Sequence, residues 1–158
     1  MNPFKQPVFK ILAILVFGAA AAGASAADTA MTADVTALQG LQQSWVQAYN
    51  AGDANAITEF YADDATLMPP GAPSTVGKDA IRTFFVSDLA EAQHAGYIMN
   101  LKGTLDGGVA GDWGWLSGGY TVMDKAGHQV DGGKFLAIYG KVDDKWYLLR
   151  DTWSSDQK

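Results

Sequence analysis

One ionisable residue stands among apolar neighbours, where proton chemistry could be done. In "WYLLRDTWSSD" Asp151 lies two residues after Leu149 and two before Trp153, so an extended strand puts its carboxylate on one face with both apolar side chains. Desolvation raises the pKa of such a group unless a cation offsets it. The carboxyl can then serve as a general acid/base or as a polar anchor for a ligand. If Asp143-Asp144 form a two-residue turn, Leu136 pairs with Asp151, Ile138 with Leu149 and Lys134 with Trp153. One face then carries Lys134, Leu136, Ile138, Tyr147, Leu149, Asp151 and Trp153, and the other carries Phe135, Ala137, Tyr139, Trp146, Leu148 and Arg150. Lys134, diagonal across this hairpin, is the nearest candidate counter-ion, and an Asp151–Lys134 ion pair that only fixes the hairpin is the structural alternative.

Other candidates carry less. Asp63 and Asp64 are adjacent, so their carboxylates diverge, and they suit local backbone hydrogen bonding at a turn. His94 and His128 stand 34 residues apart without metal-ligand spacing, and both read as surface residues. The absence of cysteine excludes thiol catalysis, thiolate metal sites and a disulfide scaffold. Trp45, Trp113 and Trp115 fit a core as well as a ligand box.

The elements that must position Asp151 are legible in order. "MNPFKQPVFK", then "ILAILVFGAAAAG", then "ASAA" has the build of a secretory signal peptide over residues 1–26, with cleavage after Ala26. This implies a periplasmic or secreted protein with no stable membrane insertion after cleavage. The net charge of −6 becomes about −8 without Lys5 and Lys10, which argues against nucleic acid and anionic membrane as partners. Residues 27–33 read as a short flexible lead-in, and 34–156 as a single domain. Val35, Leu38, Leu41, Trp45, Ala48 and Tyr49 predict an amphipathic helix stopped by Gly52. A short helix capped by Asp53 follows, with Ile57, Phe60 and Tyr61 inward, then a strand at 65–68 and a helix from Lys78 to Ala95. Strands are expected at 97–105, 109–123, 129–141 and 145–153, separated by "DGG", "DKAG" and "DDK" turns. Gly118-Gly119 and Gly132-Gly133 suit sharp bends in the sheet. The fold class is α+β: three N-terminal helices against a strongly curved, mostly antiparallel sheet that encloses a cone.

"WVQAYNAGDANAITEFYADDATLMPPG", "GKDAIRTFF" and "GGKFLAIYGKVDDKWYLLRDTWSSD" together resemble the SnoaL-like group of the nuclear transport factor 2-like superfamily, most of all the branch called domain of unknown function 4440. The resemblance covers residues 38–156. It implies a pocket inside the cone, with the positions of Leu149, Asp151 and Trp153 facing it, and a homodimer formed through the outer sheet face, here Phe135, Tyr139, Trp146 and Leu148. Against the ketosteroid isomerases of the same fold, the base position falls at Met68 or Pro69, the tyrosine position at Trp45 and the third position near Leu136. None of these can do that chemistry.

Three functions follow. The first is an exported binding protein whose cone holds a small apolar molecule with a polar group near Asp151, lined by Trp45, Tyr49, Met68, Trp115, Lys134, Leu136, Ile138, Tyr147, Leu149 and Trp153. The second is an isomerase, cyclase or dehydratase that uses Asp151 for proton transfer, without metal or cofactor. The third is a dimeric assembly module without ligand.

Overall fold

Leu38, Trp45 and Val46 recur at helical spacing, and all three are buried on one side of α1 (Ala20–Ala51). The computed structural model describes residues 20–157. The signal-peptide reading falls largely on residues 1–19, outside the described ones. The helix takes in 27–33, the stretch expected as a short flexible lead-in. The stretch is rich in alanine, the best helix former, and contains no breaker. Gly52, in the left-handed region at φ 71°, ends the helix, and its N–H donates to the Tyr49 carbonyl.

Asp53 caps α2 (Ala54–Thr58) as expected, its carboxylate accepting from the Ala56 N–H at 2.9 Å. This helix stops earlier than the sequence suggests, and Tyr61 opens a strand instead of closing a helix. β1 (Tyr61–Met68) is accordingly longer than the expected 65–68, and its register against its neighbour shifts between Tyr61 and Thr66. Asp63 and Asp64 stand exposed in that irregular stretch. A short β2 (Thr75–Val76) pairs with β1 before α3 (Lys78–Ala95), which buries Ile81, Phe85, Leu89 and Ala92.

β3 (Ile98–Ala110), β4 (Trp113–Met123), β5 (Gln129–Val142) and β6 (Lys145–Ser155) form an antiparallel meander. "DGG" is not the turn between the first two of these strands. The chain turns at Gly111-Asp112, and residues 106–108 lie inside β3 beyond a register shift that begins after Lys102. Among the described residues the sheet order is β2-β1-β6-β5-β4-β3, with β1 parallel to β6 and every other pair antiparallel.

The sheet curls around the helices, and one shared core joins Leu38, Trp45 and Val46 of α1 with Phe85 of α3 and Leu116, Ala137, Tyr139 and Leu148 of the sheet. Close backbone approach accompanies the curl. A Cβ on Gly133 would stand 1.9 Å from the Ser154 carbonyl oxygen, so only glycine fits where β5 crosses β6. α1 is tied to the outermost strand by Asn50, whose side-chain amide donates to the Met99 carbonyl and accepts from the Met99 N–H, both at 2.8 Å. This gives an edge strand the pairing it otherwise lacks.

Candidate functional site

The final hairpin decides which side chains meet Asp151. Asp143 and Asp144 do form its two-residue turn, both at positive φ (48° and 60°), the geometry that matches strand twist. From Val142↔Lys145 to Tyr139↔Leu148 the pairing follows the expected register. A bulge then places Leu149 out of the ladder, and pairing resumes at Ile138↔Arg150 and Ala137↔Asp151. The extra residue changes the phase of β6. Trp146 and Leu148 point into the cone before it, and Asp151 and Trp153 do so after it.

The inward orientation of Asp151 therefore stands, while most of its expected company changes. Phe135, Ala137 and Tyr139 are buried inside, so they are not the outer face. Lys134 and Leu136 are exposed on the outside, with Ile138 half-buried beside them. Lys134 forms an ion pair with Asp156, not with Asp151. Trp115 pairs across the sheet with Ile138 and is 39% exposed, and Trp113 is 61% exposed, so neither joins the core. Tyr147 and Leu149 lie outward on β6. Met68 sits at the end of β1, where its carbonyl accepts from the Thr152 hydroxyl. Of the sequence-derived lining, Trp45, Tyr49, Asp151 and Trp153 surround one cavity. Met68, Trp115, Lys134, Leu136, Ile138, Tyr147 and Leu149 do not line it.

That cavity has a volume of about 280 Å³ and lies between α1, α3 and the concave sheet face. Trp45 stacks on Tyr49 with centroids 5.5 Å apart and meets Phe85 edge-on at 5.7 Å, while Phe84 packs against Trp153 at 6.4 Å. Phe135, Met99, Leu101, Val122 and Val130 add to the apolar wall. Asp151 is 9% exposed. Its Oδ2 accepts from the Tyr61 hydroxyl at 2.6 Å, and that hydroxyl in turn accepts from Trp45 Nε1 at 3.2 Å. The Thr152 backbone N–H also donates to the carboxylate. Desolvation lifts Asp151 to about 6 in spite of these donors, which pull the other way. Burial first, and the facing carboxylate second, push the Tyr61 phenol far up, so it remains a donor at any ordinary pH. Beside this chain, Tyr139 donates to Gln42 Oε1 at 2.9 Å.

Two further carboxylates of the lining were missed in the sequence, although each left a signal. Asp88 lies three residues after Phe85 on the inner stripe of α3, and Asp131 shares the period-two face of Phe135 and Tyr139. Asp88 shares a hydrogen bond with the Tyr49 hydroxyl, and burial raises the pKa of both groups. Asp131 accepts from the Tyr120 hydroxyl at 3.3 Å and from Ser155 Oγ at 2.5 Å. Burial is the main cause that pushes the Tyr120 phenol up to about 12. Among the described residues, no three His, Cys, Asp or Glu side chains converge as metal ligands.

The family model of the SnoaL-like domain matches residues 43–147, about two thirds of the chain. The chain belongs to the SnoaL-like family. The match runs from α1 into the start of β6 and stops short of Asp151. Among solved structures, this SnoaL-like chain is similar to an NTF2-like protein with a cystatin-like fold from Novosphingobium aromaticivorans, at 17% identity and TM-score 0.78 over 89% of this chain and 93% of that one. It is also similar to an NTF2-like protein of unknown function from Pseudomonas putida, at 21% and 0.73 over 81% and 91%. A ketosteroid isomerase-like protein from Erwinia carotovora atroseptica matches at 23% and 0.59 over 76% and 94%. At these identities the likeness carries the fold and no chemistry. The isomerase comparison loses one position besides: Leu136 is 45% exposed on the outer face, and the inward residues on either side of it, Phe135 and Ala137, carry no acid.

Proposed function

We propose that this SnoaL-like chain is an exported binding protein whose cone holds a small, largely apolar molecule with one polar group at Asp151. The observation that carries the reading is the 280 Å³ cavity walled by Trp45, Tyr49, Phe85 and Trp153, with a buried carboxylate in its lining. A cone filled by its own side chains would suit an assembly module instead. The signal-peptide pattern of residues 1–26 supports export to the periplasm or beyond, and the motif resemblance supports the branch called domain of unknown function 4440.

A second reading rests on a separate observation. Asp151, at about 6 and 2.6 Å from the Tyr61 hydroxyl, is poised to accept or return a proton near neutral pH, as an isomerase, cyclase or dehydratase would need.

Native mass spectrometry of protein isolated from the compartment to which it is exported tests the first reading. A discrete bound mass, lost on denaturation, supports it, whereas a bare chain that also takes up no apolar probe at the Trp45 and Trp153 indoles removes it. Turnover of any substrate that falls more than about a hundredfold in Asp151→Asn would move the assignment to the enzyme reading.

A further inference from the structure

We propose that the polar group of the ligand is a cation: the cone is built for an organic ammonium carried on an aromatic or aliphatic body. This rests on the binding reading above and names the chemical class that the same cavity takes. Its basis is a charge pattern in the lining. Asp151, Asp88 and Asp131 all face the cavity, and each is met by a tyrosine hydroxyl, from Tyr61, Tyr49 and Tyr120 respectively. Among the described residues, no lysine, arginine or histidine lines the cavity with them. Lys134, the cation nearest in the hairpin, is committed to Asp156 outside.

A phenol stabilises a carboxylate by one hydrogen bond but brings no positive charge, so the cavity keeps an uncompensated negative field in a low-dielectric setting. An anionic ligand would meet three carboxylates without a counter-ion. A neutral ligand would leave them as they are. A cation supplies the missing charge, and the lining holds three aromatic rings, Trp45, Tyr49 and Trp153, of the kind that attract ammonium groups. A divalent metal fits less well, because the three carboxylates do not converge on one point. They are spread over α3, β5 and β6, which suits an extended molecule with a diffuse charge. The acidic balance of the whole chain, net −6, steers the same class of ligand toward it.

Matched probes of one shape test this directly. Phenyltrimethylammonium, its uncharged isostere tert-butylbenzene, and benzenesulfonate are titrated into the purified chain, following the indole N–H signals of Trp45 and Trp153 by NMR. The expected result is binding of the ammonium at least about tenfold tighter than of the isostere, with no shift from the sulfonate. Asp88→Asn and Asp131→Asn should each narrow that ratio severalfold. Equal or tighter binding of tert-butylbenzene, or of the sulfonate, overturns the cation assignment and leaves the cavity reading standing. If none of the three shifts either indole, both are overturned. The comparison of probes on the unaltered chain decides the matter even if a variant folds poorly.

Discussion

A carboxylate that loses hydration on folding holds its proton more tightly in the native state, which ties Asp151 to a pH dependence of known sign. Its folded value of about 6 lies above the ordinary aspartate value, so between about pH 4 and pH 6 the native state binds more protons than the unfolded chain. Its contribution to stability is therefore most favourable below that window and is lost as pH rises through 6. Asp151→Asn removes this titration. Its unfolding free energy relative to the parent should rise by about 2–3 kcal/mol between pH 4 and pH 7.5 in urea titrations, and a parallel pair of pH profiles would refute the buried-charge account. Asp88 shifts in the same direction and is present in both proteins, so it cancels in the comparison. Lys134→Ala provides the contrast. The side chain is exposed and paired with Asp156, so we expect a change within about 0.5 kcal/mol and an unaltered Asp151 titration. A large loss would restore the internal ion pair that the fold lacks.

β6 carries one residue more than β5 can pair with, and much of the site's identity follows from that. The bulge at Leu149 lets Leu148 and Asp151, an odd number of positions apart, face the same interior. The crossing of β5 over β6 depends on Gly133 in a different way. With the Ser154 carbonyl 1.9 Å from where its Cβ would be, Gly133→Ala must move backbone, and should cost about 1–3 kcal/mol in chemical denaturation. Since Tyr120 lies directly across from Gly133 and holds Asp131, the same variant should disturb the far wall of the cavity and weaken probe binding there. Full stability in Gly133→Ala would mean that the two strands are less closely apposed.

Across the molecule, the inward turn of Phe135, Tyr139, Trp146 and Leu148 removes the dimer face inferred for them. The outer sheet face presents Trp115, Leu136 and Ile138 instead, and we propose it as the contact of the homodimer that the family resemblance implies. Leu136→Lys leaves the cone untouched. It should convert a dimer to a monomer in native mass spectrometry without changing the affinity of a cavity probe, and a dimer that survives it would place the contact elsewhere. The cleavage proposed after Ala26 keeps Leu38, Trp45 and Val46, through which α1 joins the core, so the shortened chain should unfold at nearly the same temperature.

The family resemblance turns Asp151 inward; periodicity specifies the three helices, the four-strand meander and the inward face of Trp45. Each of these depends on local spacing, and the Asp53 cap, Gly52 stop and Asp143-Asp144 turn are written in short-range chemistry. Asp88 is also legible, on the stripe of Phe85, whereas Asp131 lies in phase with Phe135, which an unbulged register puts on the outer face. The partners of Asp151 were not legible. A period-two reading propagates one register along a whole hairpin, and a single bulge reverses the assignment of every residue on one side of it. Only the folded sheet, where the β1–β6 pairing brings Tyr61 within 2.6 Å of a carboxylate 90 residues away, decides which hydroxyl meets which acid and that no cation stands among them. Such contacts are set by the packing of helices on a curved surface, which no local spacing encodes.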